Sequence, residues 1–103
     1  LKSKVMQEHG RVVYLYPVRE GVSTRTGEVW KAQDFVIEID GRYTRKVRLS
    51  MFGSERVEKA NIQLGEYVTA LFEIEAHEHN GEFYNDLRVY DIQKNGLSVF
   101  RQQ

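Results

Sequence analysis

The chain contains no cysteine, which excludes disulfides, thiolate catalysis and any Cys-ligated zinc site. Its one proline, Pro17, has no N–H to give to a sheet ladder and so marks a strand end, an edge or a bulge. No apolar run approaches the ~18 residues of a membrane-spanning helix, and no hydrophobic segment of secretory type stands at the N-terminus. The expected setting is cytoplasmic, with no membrane contact. Catalytic signatures are missing too. There is no phosphate-cradling G-x-x-x-x-G-K, no serine or threonine in a nucleophile setting and no obvious pair of carboxylates. A non-enzyme without a cofactor is therefore expected. His77 and His79 stand two apart near Glu75 and have metal-ligand character. Histidines beside a hairpin tip are more often plain surface residues, and no metal site is expected.

Net charge is missing as well, since 15 Lys and Arg face 15 Asp and Glu. That balance argues against a nucleic-acid partner, but its distribution points the other way. Residues 1–54 carry ten basic and six acidic side chains, residues 55–93 carry three and nine, and Lys94 with Arg101 restores neutrality. A basic front half and an acidic rear half can fold into a polarised surface with one side suited to phosphates. The alternative is a solvated surface of interspersed charges.

What is present fits one domain. At 103 residues and 12.1 kDa the chain suits a single modest core, from about residue 8 to 93, with extensions at 1–7 and 94–103. From Gly10 to Val18 a first strand is rich in β-branched and aromatic residues and apolar on both faces, as a strand curving through both halves of a small barrel requires. Gly21 to Gly27 reads as a flexible connector. From Glu28 a second strand sets Phe35, Ile37 and Ile39 against Asp34, Val36 and Glu38, and Asp40-Gly41 predicts a hairpin turn into Tyr43 and the third strand. There Val47, Leu49 and Met51 alternate with Lys46, Arg48 and Ser50, as on a strand with one buried face. Tyr43 is inward by the same alternation.

Ser54 reads as the cap of a short helix that runs through Val57 and Ala60 towards Ile62 and Leu64, with Gly65 as its left-handed stop. Phe52 is expected to pack that helix on the barrel. Val68, Ala70, Phe72, Ile74 and Ala76 share one face of a fourth strand, Asn80-Gly81 predicts a type I′ turn, and a fifth strand returns from about Phe83 to Ile92. In the polar tail, Leu97, Val99 and Phe100 either pack back on the barrel or dock on a partner chain. Five strands with one short helix between strands 3 and 4 outline an all-β, five-stranded Greek-key barrel.

The order strand, F-G at Phe52-Gly53, helix, glycine, strand and long hairpin, closed by Leu87–Ile92, resembles the second half of the OB-fold of bacterial single-stranded-DNA-binding proteins. W-K-A-Q-D-F-V-I-E, from Trp30 to Glu38, more particularly resembles a family of small bacterial proteins grouped with that fold. The likeness covers roughly residues 8 to 93. It implies a single OB-fold domain whose partner is single-stranded DNA, with RNA as the alternative, and a homo-oligomer with a dimer favoured. Two features depart from the pattern. The hairpin carries Glu73, Glu75, Glu78, Glu82 and Asp86, which repel phosphates, and the acidic, glycine-rich tail ending in D-D-x-P-F is missing.

On such a fold, ligands lie across the second and third strands and the flanking loops. Single strands bind through a positive groove and rings on which bases stack. If Val47, Leu49 and Met51 face inward, Lys46 and Arg48 face outward, and Trp30, opposite in parity to Phe35, joins them unless a bulge near Ala32 turns it into the barrel end. Trp30, Lys31, Lys46 and Arg48 are the expected contacts for stacking and phosphates, with little base specificity. Arg25, Arg45 and Tyr84 are second choices, and Arg42 lies near the same turn as Arg45. Tyr84, Arg88 and Tyr90 share the outer face of the fifth strand. The alternative function is a protein-interaction or oligomerisation module that uses Tyr14/Tyr16 or Tyr84/Tyr90 as a subunit interface.

Overall fold

The structure is a computed structural model that describes residues 4–101. Four strands, β1 (Met6–Leu15), β2 (Arg19–Val22), β3 (Val29–Ile39) and β4 (Arg45–Phe52), precede the helix α1 (Ser54–Ala60). Three more, β5 (Tyr67–His79), β6 (Glu82–Lys94) and β7 (Leu97–Ser98), follow it. Strands β1, β5, β6, β4 and β3 are joined in that order, and pairing of β1 with β3 closes the ring. This is the expected five-stranded OB-fold barrel, with its helix between the third and fourth barrel strands. The ring is uneven: β4 and β6 run parallel and meet at one bridge, Ser50 with Arg88.

Two short strands were not expected. Residues 19–22, of which Gly21 and Val22 open the stretch expected to be a flexible connector, instead form β2 against β3. The tail folds back as β7 on β6, turned by Asn95 and Gly96 at φ 54° and 79°. Of the two fates open to the tail, Val99 and Phe100 take the first and pack against the core. The Arg56 guanidinium sits 4.5 Å from the Phe100 ring centre, a cation–π contact that holds the tail to the helix.

β1 turns the corner of the barrel. Its first half pairs with β5 and its second half with β3. A register shift between Val12 and Tyr14 leaves Val13 as an extra residue, so Val12 and Leu15, of opposite parity, both reach the core. That bulge is the physical reason for a strand apolar on both faces. Gly10 permits the close approach, because a Cβ there would fall 2.5 Å from the Glu38 carbonyl oxygen. A second shift, after Leu71, leaves Tyr90 unmatched in β6 and lets both Val89 and Ile92 point inward.

The helix ends differ from expectation. The N-cap position is Gly53, at φ 116° and without a side-chain cap, while Ser54 Oγ donates to the Val29 carbonyl at 3.3 Å. Asn61, left-handed at φ 42°, ends the helix in place of Gly65. Lys94 Nζ donates to the Ala60 carbonyl at 2.7 Å, a cation at the negative helix end. Val57 and Ala60 close one end of the barrel. Asp40-Gly41 makes no tight turn, since a loop spans residues 40–44 and carries Tyr43, 75% exposed and not inward.

The Asn80-Gly81 turn is as expected, at φ 52° and 83°. Of the five residues assigned to the inner face of the fourth strand, however, only Val68, Ala70 and Phe72 are buried. Ile74 and Ala76 are exposed because β5 and β6 run on past the barrel as a two-stranded arm.

Candidate functional site

The register of β3 with β4 places Ala32 opposite Phe52, Asp34 opposite Ser50, Val36 opposite Arg48 and Glu38 opposite Lys46. Directly opposed residues share a face. Phe35 with Leu49 and Ile37 with Val47 point into the core. The alternate set, with Trp30, therefore lies on the opposite, outer side, where Ala32, between Trp30 and Asp34, is itself fully covered. No bulge interrupts β3 against β4, and Trp30 stays outside, 45% exposed. Its register partner in β2 is Gly21, where a Cβ would fall 2.6 Å from Trp30 Cζ2. The indole lies across a strand position that only glycine leaves open.

Asp34 is the electrostatic centre of this face. It is only 7% exposed, and a carboxylate at that depth requires charged partners. Arg48 supplies Nε at 2.9 Å and Nη2 at 2.8 Å, and Arg19 supplies Nη2 at 3.2 Å. The hydrogen bond to Asp34, opposed by burial and aided by the carboxylate charge, raises the Arg48 pKa above its already high ordinary value. Arg48 is thus a permanent cation. Its guanidinium lies 4.0 Å from the Tyr16 ring centre and Nη1 donates to the Tyr16 hydroxyl at 3.1 Å. Tyr14 meets Tyr16 edge to face at 4.7 Å. Two same-face positions along β3 from Asp34, Glu38 lies 3.5 Å from Arg11 Nη2 and 3.7 Å from Lys46 Nζ. Each carboxylate is shared by two cations, so the patch keeps positive charge in a chain of zero net charge.

Phe52 belongs to this face and not under the helix. Its ring is half-exposed, and the Arg88 guanidinium lies 4.9 Å from the ring centre across the β4–β6 bridge. Below that bridge the two strands diverge, leaving a groove of about 500 Å³ between Lys46, Arg48 and Ser50 on one side and Asn85, Asp86 and Leu87 on the other.

The structure thus gathers Trp30, Lys46 and Arg48 on one face, with Arg25 exposed in the turn before β3. Three other residues singled out in the sequence lie elsewhere. Lys31 has the opposite parity and bonds Glu58 of α1 at 2.9 Å. That bond, together with the Glu58 charge, raises the Lys31 pKa above 10.5. Arg45 has the inward parity at the barrel's end, 3.9 Å from Glu8. Tyr84 sits on the arm beside His77, with ring centres 5.8 Å apart. His77 Nδ1 lies 2.8 Å from Asp86, and among the described residues no three His, Asp or Glu side chains are grouped to hold a metal. Also among the described residues, no helix is long and apolar enough to cross a membrane.

Sequence reasoning missed Tyr16, Phe52, Arg11 and Arg19 as parts of this face. For Phe52 the signal was present, since strict alternation from Met51 turns it outward. For Tyr16 it was hidden by the bulge at Val13.

The strand order, the helix position and the long arm define an OB-fold domain of the shape found in single-stranded-DNA-binding proteins. Residues 8–93 match the family described as Domain of unknown function (DUF3127), and the chain belongs to that family. No curated protein matches the sequence. Among solved structures, the mitochondrial single-stranded DNA-binding protein Rim1 of S. cerevisiae matches with a TM-score of 0.67 at 14% identity, over 92% of this chain and 98% of that one. The SSB domain of a Synechococcus protein matches at 0.63 and 13% identity, over 91% and 98%. A small single-stranded DNA-binding protein from Streptomyces coelicolor matches at 0.53 and 7%, over 92% and 96%. At these identities the likeness is one of fold.

Proposed function

We propose that this protein binds single-stranded nucleic acid, DNA before RNA, on the outer face of β3 and β4, by stacking and phosphate contact and without catalysis. The observation that carries the reading is the sharing of Asp34 and Glu38 by four cations on the strand face that also exposes the ring of Trp30. Trp30 takes a base, Lys46 meets phosphate, and Arg25 extends the cationic surface past the end of β3. The fold of the neighbours supports DNA as the ligand. Trp30 is the one tryptophan, so its fluorescence reports on this face alone. Titration with an oligothymidine of about 30 nucleotides should quench it, with log affinity falling against log salt at a slope near −0.7 per phosphate contacted. No binding at micromolar protein in low salt overturns the reading.

A second reading rests on the arm. Ile74 and Phe83 share one of its faces and are 51% and 69% exposed, and a two-stranded ribbon is marginal alone in water. A homodimer in which the arm is covered by a second copy accounts for this. Sedimentation at rising concentration tests it, and a dimer lost in Phe83→Asp but indifferent to salt is the expected result.

A further inference from the structure

The geometry points to a second stacking subsite: we propose that the Arg48 guanidinium, laid on Tyr16, serves as a shelf for a base and not as a phosphate ligand. The inference deepens the single-strand reading and rests on it. A guanidinium binds phosphate through its N–H edges. Of the five N–H donors of Arg48, the one on Nε is given to Asp34 at 2.9 Å and one on Nη1 to the Tyr16 hydroxyl at 3.1 Å, while Nη2 stands in ion-pair contact with Asp34 at 2.8 Å. Asp34 is nearly buried and compensates much of the charge where it sits. Besides the unpaired N–H groups on Nη1 and Nη2, a flat surface remains available: the Arg48 side chain is 56% exposed, with its guanidinium carbon 4.0 Å from the Tyr16 ring centre.

The support beneath is fixed. The Tyr16 backbone N–H donates to the Asp34 carbonyl at 3.0 Å, Tyr14 buttresses the ring edge to face, and Arg19 holds the second Asp34 oxygen at 3.2 Å. Bases stack on guanidinium planes as they do on aromatic rings, and a plane already held in place loses little freedom when a base lands on it. Asp34 lies four residues from Trp30 on the same face of β3, roughly 13 Å at the rise of a strand. A strand stacked on Trp30 therefore reaches Arg48 further along the face. Lys46, whose side chain is 63% exposed and whose Nζ is 3.7 Å from Glu38, remains the phosphate contact of this region.

Arg48→Lys separates the two roles because it keeps the charge and loses the plane. For a phosphate ligand it is nearly silent. For a shelf, affinity for the oligothymidine should fall by about 5- to 150-fold, the worth of one stacked base, with an unchanged salt slope. Tyr16→Leu, which removes the support and leaves the Arg48–Asp34 pair, should weaken binding in the same way and decides the matter if thermal melts show Arg48→Lys to be misfolded. Wild-type binding with both variants within twofold of it overturns the shelf and leaves the function standing. In Tyr16→Leu, a loss accompanied by a shallower salt slope also overturns the shelf, in favour of a phosphate contact. A wild-type chain that binds no oligonucleotide overturns both.

Discussion

Two surfaces of this barrel expose aromatic rings among charged groups, and they differ in how charge and core are arranged. On the outer face of β3 and β4, Asp34 and Glu38 are each held by two cations, and from Asp34 to Glu38 and from Arg48 to Phe52 the outward residues alternate with residues buried in the barrel. On the arm, Tyr84 stands among Glu75, Glu82 and Asp86, Arg88 reaches Glu75 at 3.6 Å from the arm's base, and both faces of the ribbon meet water. A neutral chain has thus divided its charge so that one surface is cationic and backed by a core, while the other is anionic and unsupported. Overall charge predicts neither surface. What decides is the ratio of cations to carboxylates within a Debye length, about 8–10 Å at moderate salt.

The largest effect that sharpens this contrast concerns the core. Phe35→Ala removes a fully buried ring behind the β3–β4 face and should cost about 3–5 kcal/mol in denaturant unfolding. Phe83→Ala on the exposed arm should stay within about 0.5 kcal/mol. Equal losses would mean that the arm is covered in solution. Next comes the difference between the rings as ligand sites. Trp30→Ala should weaken oligothymidine binding by about 1–3 kcal/mol with an unchanged salt slope. Lys46→Gln should make the slope shallower by about 0.7. Tyr84→Ala, surrounded by carboxylates, should leave both quantities as in wild type, and a loss there as large as for Trp30 would transfer the site to the arm.

Much of the barrel was legible because alternation is a local signal. Val47, Leu49 and Met51, and likewise Phe35, Ile37 and Ile39, declare their face without help from the rest of the chain. Parity also placed Trp30, Lys46 and Arg48 together, since β3 and β4 run in register with no shift between them. The same rule failed where a non-local fact intervened. The bulge at Val13 turns Tyr16 towards Arg48, and it exists because β1 must change partners from β5 to β3, which no short window of sequence contains. Asp34 reads simply as an outward carboxylate. That it is buried under two arginines depends on Arg19, fifteen residues earlier, and Arg48, fourteen later. Ile74 and Ala76 misled for the opposite reason: they keep perfect alternation after the barrel behind them has ended.

Lys31 gives the smallest and most local comparison, because it is the chain neighbour of Trp30 and has the opposite parity. Its ammonium lies against Glu58 on α1, partly exposed, and pairs of this kind contribute little to stability. The sign of its pH dependence follows from the raised pKa. The folded state holds the proton more tightly than the unfolded chain, so the stabilisation is complete below the ordinary value of 10.5 and disappears as pH rises through the folded value. Glu58→Gln should therefore melt slightly below wild type by a constant margin from about pH 6 to 9, and the gap should close only in more alkaline solution. Neither Glu58→Gln nor Lys31→Gln should alter the oligothymidine salt slope. A shallower slope in Lys31→Gln would show that this ammonium leaves the helix for phosphate, and that the cationic surface extends around the end of the barrel instead of stopping at the outer face of β3.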